Sequence, residues 1–405
     1  MNSEGTRGVS SFSLFILWFG AAVSIAEIYT GALLAPLGFS KGIQAIILGH
    51  VIGALLLGLT GLIGSQQKVP ALVSTRISFG RYGSYGFSVL NILQLLGWTA
   101  VMVIAGARSV NEISKILWGF DHQVLWSMMI GLLICIWIMV GIKKLNKINL
   151  LAVSLLFILT IILSTVIFNK PGLINEVPDG GMSFGTAVEL SVIMPLSWLP
   201  LISDYTRYAR SAKGGFWGSM GGYFIGSSWM YIIGLGAAIY AGNPDPAAIL
   251  LAANLGIAAL GIVVLSTVTT TFLDAYSAGV SFINLKPLAN EKSAAIVMAV
   301  LGTAIAIITP IEQYENFLYA IGSVFAPLFA ILLTDYYLLK KRSIDDRKNV
   351  YGLNTFIWAL GVLIYHRFMA MDLFLGSTLP VMVIIALLSI IIKGVGEKWR
   401  LSKNV

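Results

Sequence analysis

Residues 13–39 read SLFILWFGAAVSIAEIYTGALLAPLGF, and residues 185–210 read GTAVELSVIMPLSWLPLISDYTRYAR. Each is apolar enough to cross a bilayer, which takes about 20 residues, yet each has a weak centre. In the first, Gly20-Ala21-Ala22-Val23-Ser24 is small and poor in bulky side chains. In the second, Pro195 and Pro200 each lack a backbone donor and clash with the preceding turn, so a break is expected here even more than in the first. Unwound backbone is tolerated in lipid only where it lines a protein cavity or a ligand site.

Working outward, apolar runs near 11–38, 42–64, 82–112, 123–142, 147–168, 185–206, 214–241, 254–284, 293–309, 312–340, 351–369 and 375–394 predict twelve spans. The chain of 405 residues is 57% hydrophobic and 11% charged, with mean hydropathy +0.87. A soluble domain is about 25% charged, so an ordinary soluble enzyme is excluded. The polar stub before span 1 has no clear cleavage site and precedes a run too long for a signal peptide, so span 1 is read as retained. The longest stretch between spans is 170–184. No linker divides the chain, which predicts a single transmembrane domain over 1–405.

Charge fixes the expected orientation. Of 26 Lys and Arg, 21 fall on the side of the stub, from Arg7 through Arg76, Arg207 and Lys340 to Lys403. Only Lys41, Arg108, Lys115, Lys170 and Arg367 fall on the other. This bias places both termini in the cytoplasm. It also explains the net charge of +8 without nucleic acid, because the basic residues are spread over every inner loop. A lone cysteine, Cys135, and three separated histidines build neither a disulfide framework nor a metal cluster. No nucleophile–base pair, phosphate loop or repeated selectivity filter is present, which argues against an enzyme or a channel.

Interruptions in spans 1 and 6, five apart, match two inverted five-helix repeats with a substrate between them at mid-membrane. The repeats would cover about 11–168 and 185–340, followed by two extra helices over about 351–394. On span 8, Ser266, Thr269 and Thr270 stand at i, i+3 and i+4 and share a face. Such oxygens, joined by carbonyls freed in a broken helix, suit sodium; they equally suit hydroxyls bonded back to their own helix. Glu27 and Asp274 are the two acids that read as deep, fitted to the amino or ring N–H groups of a heterocycle or to a proton. Arg108 and Glu112, four apart, are expected to pair. Asp204, before Arg207 and Arg210, is expected to serve the inner face. Gln94 and Trp98 on span 3 suit a base edge and a flat ring.

The stretch STRISFGRYGS at 74–84, followed by QLLGW at 94–98, resembles the nucleobase:cation symporter family that holds cytosine, hydantoin and allantoin permeases. So do YTGA at 29–32, DYTRY at 204–208, and Thr269-Thr270 with the following YSAG. The short chain and spans 1, 3 and 6 look most like the bacterial branch assigned to hydroxymethylpyrimidine, the thiamine precursor. The resemblance implies an all-α, LeuT-like transporter of the bacterial plasma membrane. It would import a planar pyrimidine with sodium as coupling ion, with no other cofactor and no obligate protein partner. Carried over by motif, sodium would be held by Gly20, Val23, Ser266, Thr269 and Thr270. Family aromatics fall where this chain has Ser24 and Pro195, so Trp198 beside Met194, or Trp98, would supply the stacking surface. Gln94, Asp274 or Glu27 would supply the polar contacts.

Overall fold

The computed structural model of the chain describes residues 8–140, 142–169, 181–253, 255–309, 313–345 and 347–403. Arg7 and residues 170–180 of the long inter-span stretch lie outside them. Span 1 is divided into α1 (Ser11–Ala22) and α2 (Ile25–Leu33). Then follow α3 (Phe39–Gln67), the short α4 (Ala71–Ser74), α5 (Arg76–Trp118), α6 (Gln123–Val140) and α7 (Ile142–Phe168). Span 6 is α8 (Phe184–Leu196) and α9 (Leu199–Thr206). The remainder is α10 (Ala212–Ala241), α11 (Pro246–Ala252), α12 (Gly256–Leu285), α13 (Glu291–Ile308), α14 (Tyr314–Leu333), α15 (Gly352–Met369) and α16 (Thr378–Lys403). Nine helices are long and apolar enough to span, and the bent pair in span 1 makes ten among the described residues. Helix α15 and the apolar Thr378–Gly394 stretch occupy the places of spans 11 and 12.

Span 1 bends by 59° at its break. Val23 (φ −78°, ψ 82°) and Ser24 (φ −141°, ψ 158°) leave the helical region. The Ser24 amide turns back to the Ala22 carbonyl at 2.9 Å, and the Ser24 hydroxyl caps α2 by accepting from the Glu27 amide at 3.4 Å. Small side chains at 20–24 make this possible, because little packing is lost when the helix opens.

Span 6 is interrupted between α8 and α9, as expected, but more gently than span 1. Ser197 (φ −60°, ψ −21°) and Trp198 (φ −89°, ψ −9°) both stay in the right-handed helical region, so the turn tightens without swinging. Pro200 occupies the first turn of α9, where a missing donor costs nothing. Pro195 lies against Gly53 of α3, where an added Cβ would stand 2.2 Å from its Cγ. That packing holds the helix straight past the lost bond.

The bundle closes through backbone approach. Helix α2 presses on α10, where a Cβ on Gly31 would meet the Tyr231 carbonyl oxygen at 2.3 Å and one on Gly234 the Ile28 oxygen at 2.0 Å. Gly80 takes φ 75°, ψ −177° and kinks α5 near its start. This lets Arg81 and Tyr82 amides donate to the carbonyls of Lys348 and Asn349, at 3.0 and 2.9 Å. Apolar side chains such as Met128, Leu132 and Ile136 of α6 are exposed on the outer surface, as lipid contact requires.

Candidate functional site

The break in span 1, the turn in span 6, and the facing stretches of α5 and α12 enclose a cavity of about 30 Å³. Its walls include Ser24, Glu27, Trp98, Met194, Trp198, Thr270 and Asp274. Trp198 is braced edge-on by Trp18 at 5.6 Å and Tyr223 at 6.3 Å. Trp98 is braced likewise by Phe317 at 5.4 Å and Tyr314 at 6.0 Å. Such contacts fix each ring's orientation. Two indoles, three hydroxyls and two carboxyls in an otherwise apolar recess form a small-molecule site. The free space holds about two waters, far short of the roughly 300 Å³ that a ligand needs, so the site is closed around itself in this conformation.

Two of the expected binding residues do not line it. Gln94 stands behind the Leu95 and Trp98 wall, its Nε2 donating to the Ser197 carbonyl at 2.8 Å and to Asn91 Oδ1 at 3.0 Å. Its Oε1 is buried without a partner among the described residues. Pro195 is turned toward α3 instead. Leu95, Met102, Ser197 and Leu201 line the cavity and went unremarked in the sequence, where nothing marks an apolar residue as facing a ligand.

The acids differ in what they do. Glu27 accepts from Tyr223 Oη at 2.7 Å and Ser227 Oγ at 2.7 Å, both on α10. Asp274 is buried, and no hydrogen bond to its carboxyl is present among the described residues. Two further deep acids were missed. Glu189 accepts from the amides of Ser377 and Thr378 at 2.7 and 2.9 Å, from the Thr378 hydroxyl at 2.7 Å and from Tyr365. It thus caps α16. Asp335 pairs with Lys393 and accepts from Asn354 at 3.0 Å. Arg108 pairs with Asp245, and Glu112 with Lys115, each at 3.0 Å. Asp204 accepts from the Ala71 amide at 3.0 Å and so ties α9 to α4.

Along α12, the hydroxyls of Thr269 and Thr270 donate to the Ser266 carbonyl at 2.9 and 2.8 Å. This is the back-bonded arrangement, which leaves lone pairs on both oxygens. At the break in span 1, the carbonyls of Gly20 and Val23 accept no hydrogen bond among the described residues. Gly20, Thr269 and Thr270 border a second cavity of about 430 Å³. A much larger cavity, about 1020 Å³, opens at the basic end among Arg76, Arg81, Asp204, Arg207 and Glu291.

A bundle of about ten to twelve spanning helices among the described residues, with a broken first span beside an internal recess, has the LeuT-like fold of a membrane transporter, not an enzyme. The solved inward-facing conformation of Mhp1 matches with a TM-score of 0.83, at 20% identity, over 97% of this chain and 92% of that one. Mhp1 closed on bromovinylhydantoin matches at 0.80, with 21% identity and 95% and 92% covered. By sequence, cytosine permease of Escherichia coli O157:H7 is 26% identical, covering 83% of this chain and 79% of that protein. Hydantoin permease of Microbacterium maritypicum is 25% identical over 86% and 78%. Residues 3–392 match the profile described as permease for cytosine/purines, uracil, thiamine, allantoin. The chain belongs to this family, whose members are secondary transporters of nucleobases and related compounds.

Proposed function

We propose that the chain imports a pyrimidine with sodium, by alternating access, and that hydroxymethylpyrimidine is its preferred cargo. The observation that carries the reading is a recess holding two braced indoles and one carboxyl, Asp274, with no hydrogen-bond partner among the described residues. A pyrimidine amino group beside a ring nitrogen offers a donor next to an acceptor, an edge that a carboxyl group can bond with both oxygens. Trp198 and Trp98 stack on the ring. Ser24 meets the hydroxymethyl substituent, and Met194 supplies apolar contact. Glu27 is occupied by α10, so Asp274 is the acid that reads the cargo. Gln94 acts from behind by holding the Ser197 carbonyl.

In this reading sodium lies between the Gly20 and Val23 carbonyls and the Ser266, Thr269 and Thr270 oxygens. There it lowers the cost of holding the span 1 break in its binding shape, which couples the two ligands. Both termini face the cytoplasm of a bacterial plasma membrane, and the 1020 Å³ cavity is the exit. The test is thermal stability of purified protein against hydroxymethylpyrimidine, cytosine, uracil, hypoxanthine and allantoin, in sodium and in choline. Stabilisation by hydroxymethylpyrimidine that needs sodium, and that is lost in Asp274→Ala, is expected. Cytosine presents the same amino edge, so stabilisation by cytosine alone would replace the cargo. Stabilisation by hydroxymethylpyrimidine that is undiminished in Asp274→Ala would remove the role of Asp274.

A further inference from the structure

The second half of span 1 is held from behind by polar side chains of three helices. Ser227 Oγ of α10 lies 2.7 Å from Glu27 Oε2 of α2 and 2.6 Å from His50 Nε2 of α3. His50 Nδ1 lies 2.8 Å from the Ile46 carbonyl oxygen. Glu27 and His50 are buried, at 2% and 0% exposure. A carbonyl oxygen only accepts, and Nδ1 therefore carries a hydrogen. A serine hydroxyl has one hydrogen and cannot donate to both the carboxyl and the imidazole.

Two arrangements satisfy every contact. In one, a Glu27 carboxylate accepts from Ser227, which accepts from Nε2–H of an imidazolium. In the other, a Glu27 carboxylic acid donates to Ser227, which donates to Nε2 of a neutral imidazole. Both hold one proton more than a carboxylate beside a neutral imidazole, and both leave the pair with no net charge. They interconvert when the Glu27 O–H bond breaks, Ser227 takes that proton and releases its own, and an N–H bond forms at Nε2.

We propose that Glu27, Ser227 and His50 form a single-proton site, one proton being shared between carboxyl and imidazole through the serine hydroxyl. Removing it leaves two acceptors facing one hydrogen and a bare buried charge; adding a second leaves the serine hydrogen without an acceptor. Either change breaks a buried contact, so occupancy of the site and attachment of α2 to α3 and α10 are linked. The other titratable groups around it are Tyr223 and Tyr231 of α10, Tyr314 of α14 and Asp274 of α12 across the recess. The described hydrogen-bonding partners of the three residues include no lysine or arginine. Glu27 stands three residues after Ser24, the cap that lines the recess, so the proton bears on the break itself. The inference rests on neither the cargo nor the cation.

The chain has three histidines, and His122 and His366 are exposed. The full-length His122→Gln, His366→Gln protein, labelled with ¹⁵N-histidine, reports both nitrogens of His50 by NMR. The infrared carbonyl stretch lost in Glu27→Gln reports whether residue 27 is a carboxylic acid. At neutral pH the two readings are expected to sum to one proton, acid with a neutral Nδ1–H ring or carboxylate with imidazolium. A carboxylate beside a neutral ring, an acid beside an imidazolium, or a neutral Nε2–H ring would overturn the proposal. Should the double variant not fold, the His50 signals are assigned in the unaltered protein by their loss in His50→Gln.

Discussion

Replacing Gly31 by alanine tests how the break in span 1 is held. A Cβ at Gly31 would lie 2.3 Å from the Tyr231 carbonyl oxygen and 2.5 Å from its Cα. Both atoms are backbone within α10, so neither can rotate away, and Cβ contacts essentially never fall below 3.0 Å. Helices α2 and α10 must therefore separate by 0.7 Å or more, the difference between 3.0 and 2.3. Glu27 lies one turn from Gly31 on the same short helix, and its two bonds to α10 are 2.7 Å each. Adding the separation takes them to about 3.4 Å, beyond good hydrogen-bond distance. Overpacking and two weakened bonds to a buried carboxyl together cost about 2–4 kcal/mol. The assay is thermal unfolding of purified protein beside cargo uptake in vesicles. Gly31→Ala is expected to lower the unfolding temperature by several degrees and to impair uptake. Gly86→Ala, with nothing within 4 Å of its new Cβ, leaves both unchanged. A Gly31→Ala protein as stable and active as the parent would refute the claim that this approach positions Glu27.

Glu189→Ala removes the acceptor of two buried amides and two hydroxyls, and a loss of at least about 3 kcal/mol in stability is expected. Limited proteolysis should then cut first near 372–378, because α16 loses its cap. Thr270→Ala deletes one hydroxyl facing the Gly20 end of the break; the sodium concentration for half-maximal uptake should rise, whereas an unchanged sodium dependence would place the cation elsewhere. At the outer turn, the Asn111 amide first, and then Lys115, hold the Asp121 carboxyl below its usual range. A folded value below the unfolded one stabilises at neutral pH and is lost as pH falls through the lowered value. Asp121→Asn should flatten that acid-side loss in an unfolding scan, and an unchanged slope would assign it to other carboxylates.

What could be read from the residues in order was whatever depends on neighbours along the chain. Twelve apolar runs, the inner-loop bias of Lys and Arg, and the small residues at 20–24 announced the bundle and its first break. A helix loses little by opening where it has few side chains to pack. Gln94 illustrates the limit: its polarity was visible, but the Ser197 carbonyl that takes its amide lies on another helix 103 residues away. Likewise the spacing along α5 could not show that Arg108 also pairs with Asp245, 137 residues away.

The sequence by itself thus determined that the chain lies in a membrane and which segment is weak, because hydropathy and helix propensity are local properties. The tertiary structure alone decided that span 6 tightens without swinging, since Pro195 is held against Gly53 of another helix. It alone separated a carboxyl bound by Tyr223 and Ser227 from one, Asp274, with no hydrogen-bond partner among the described residues. The partners of Glu27 stand 196 and 200 residues further along, and only the packing of one backbone onto another at Gly31 and Gly234 brings them within hydrogen-bond reach.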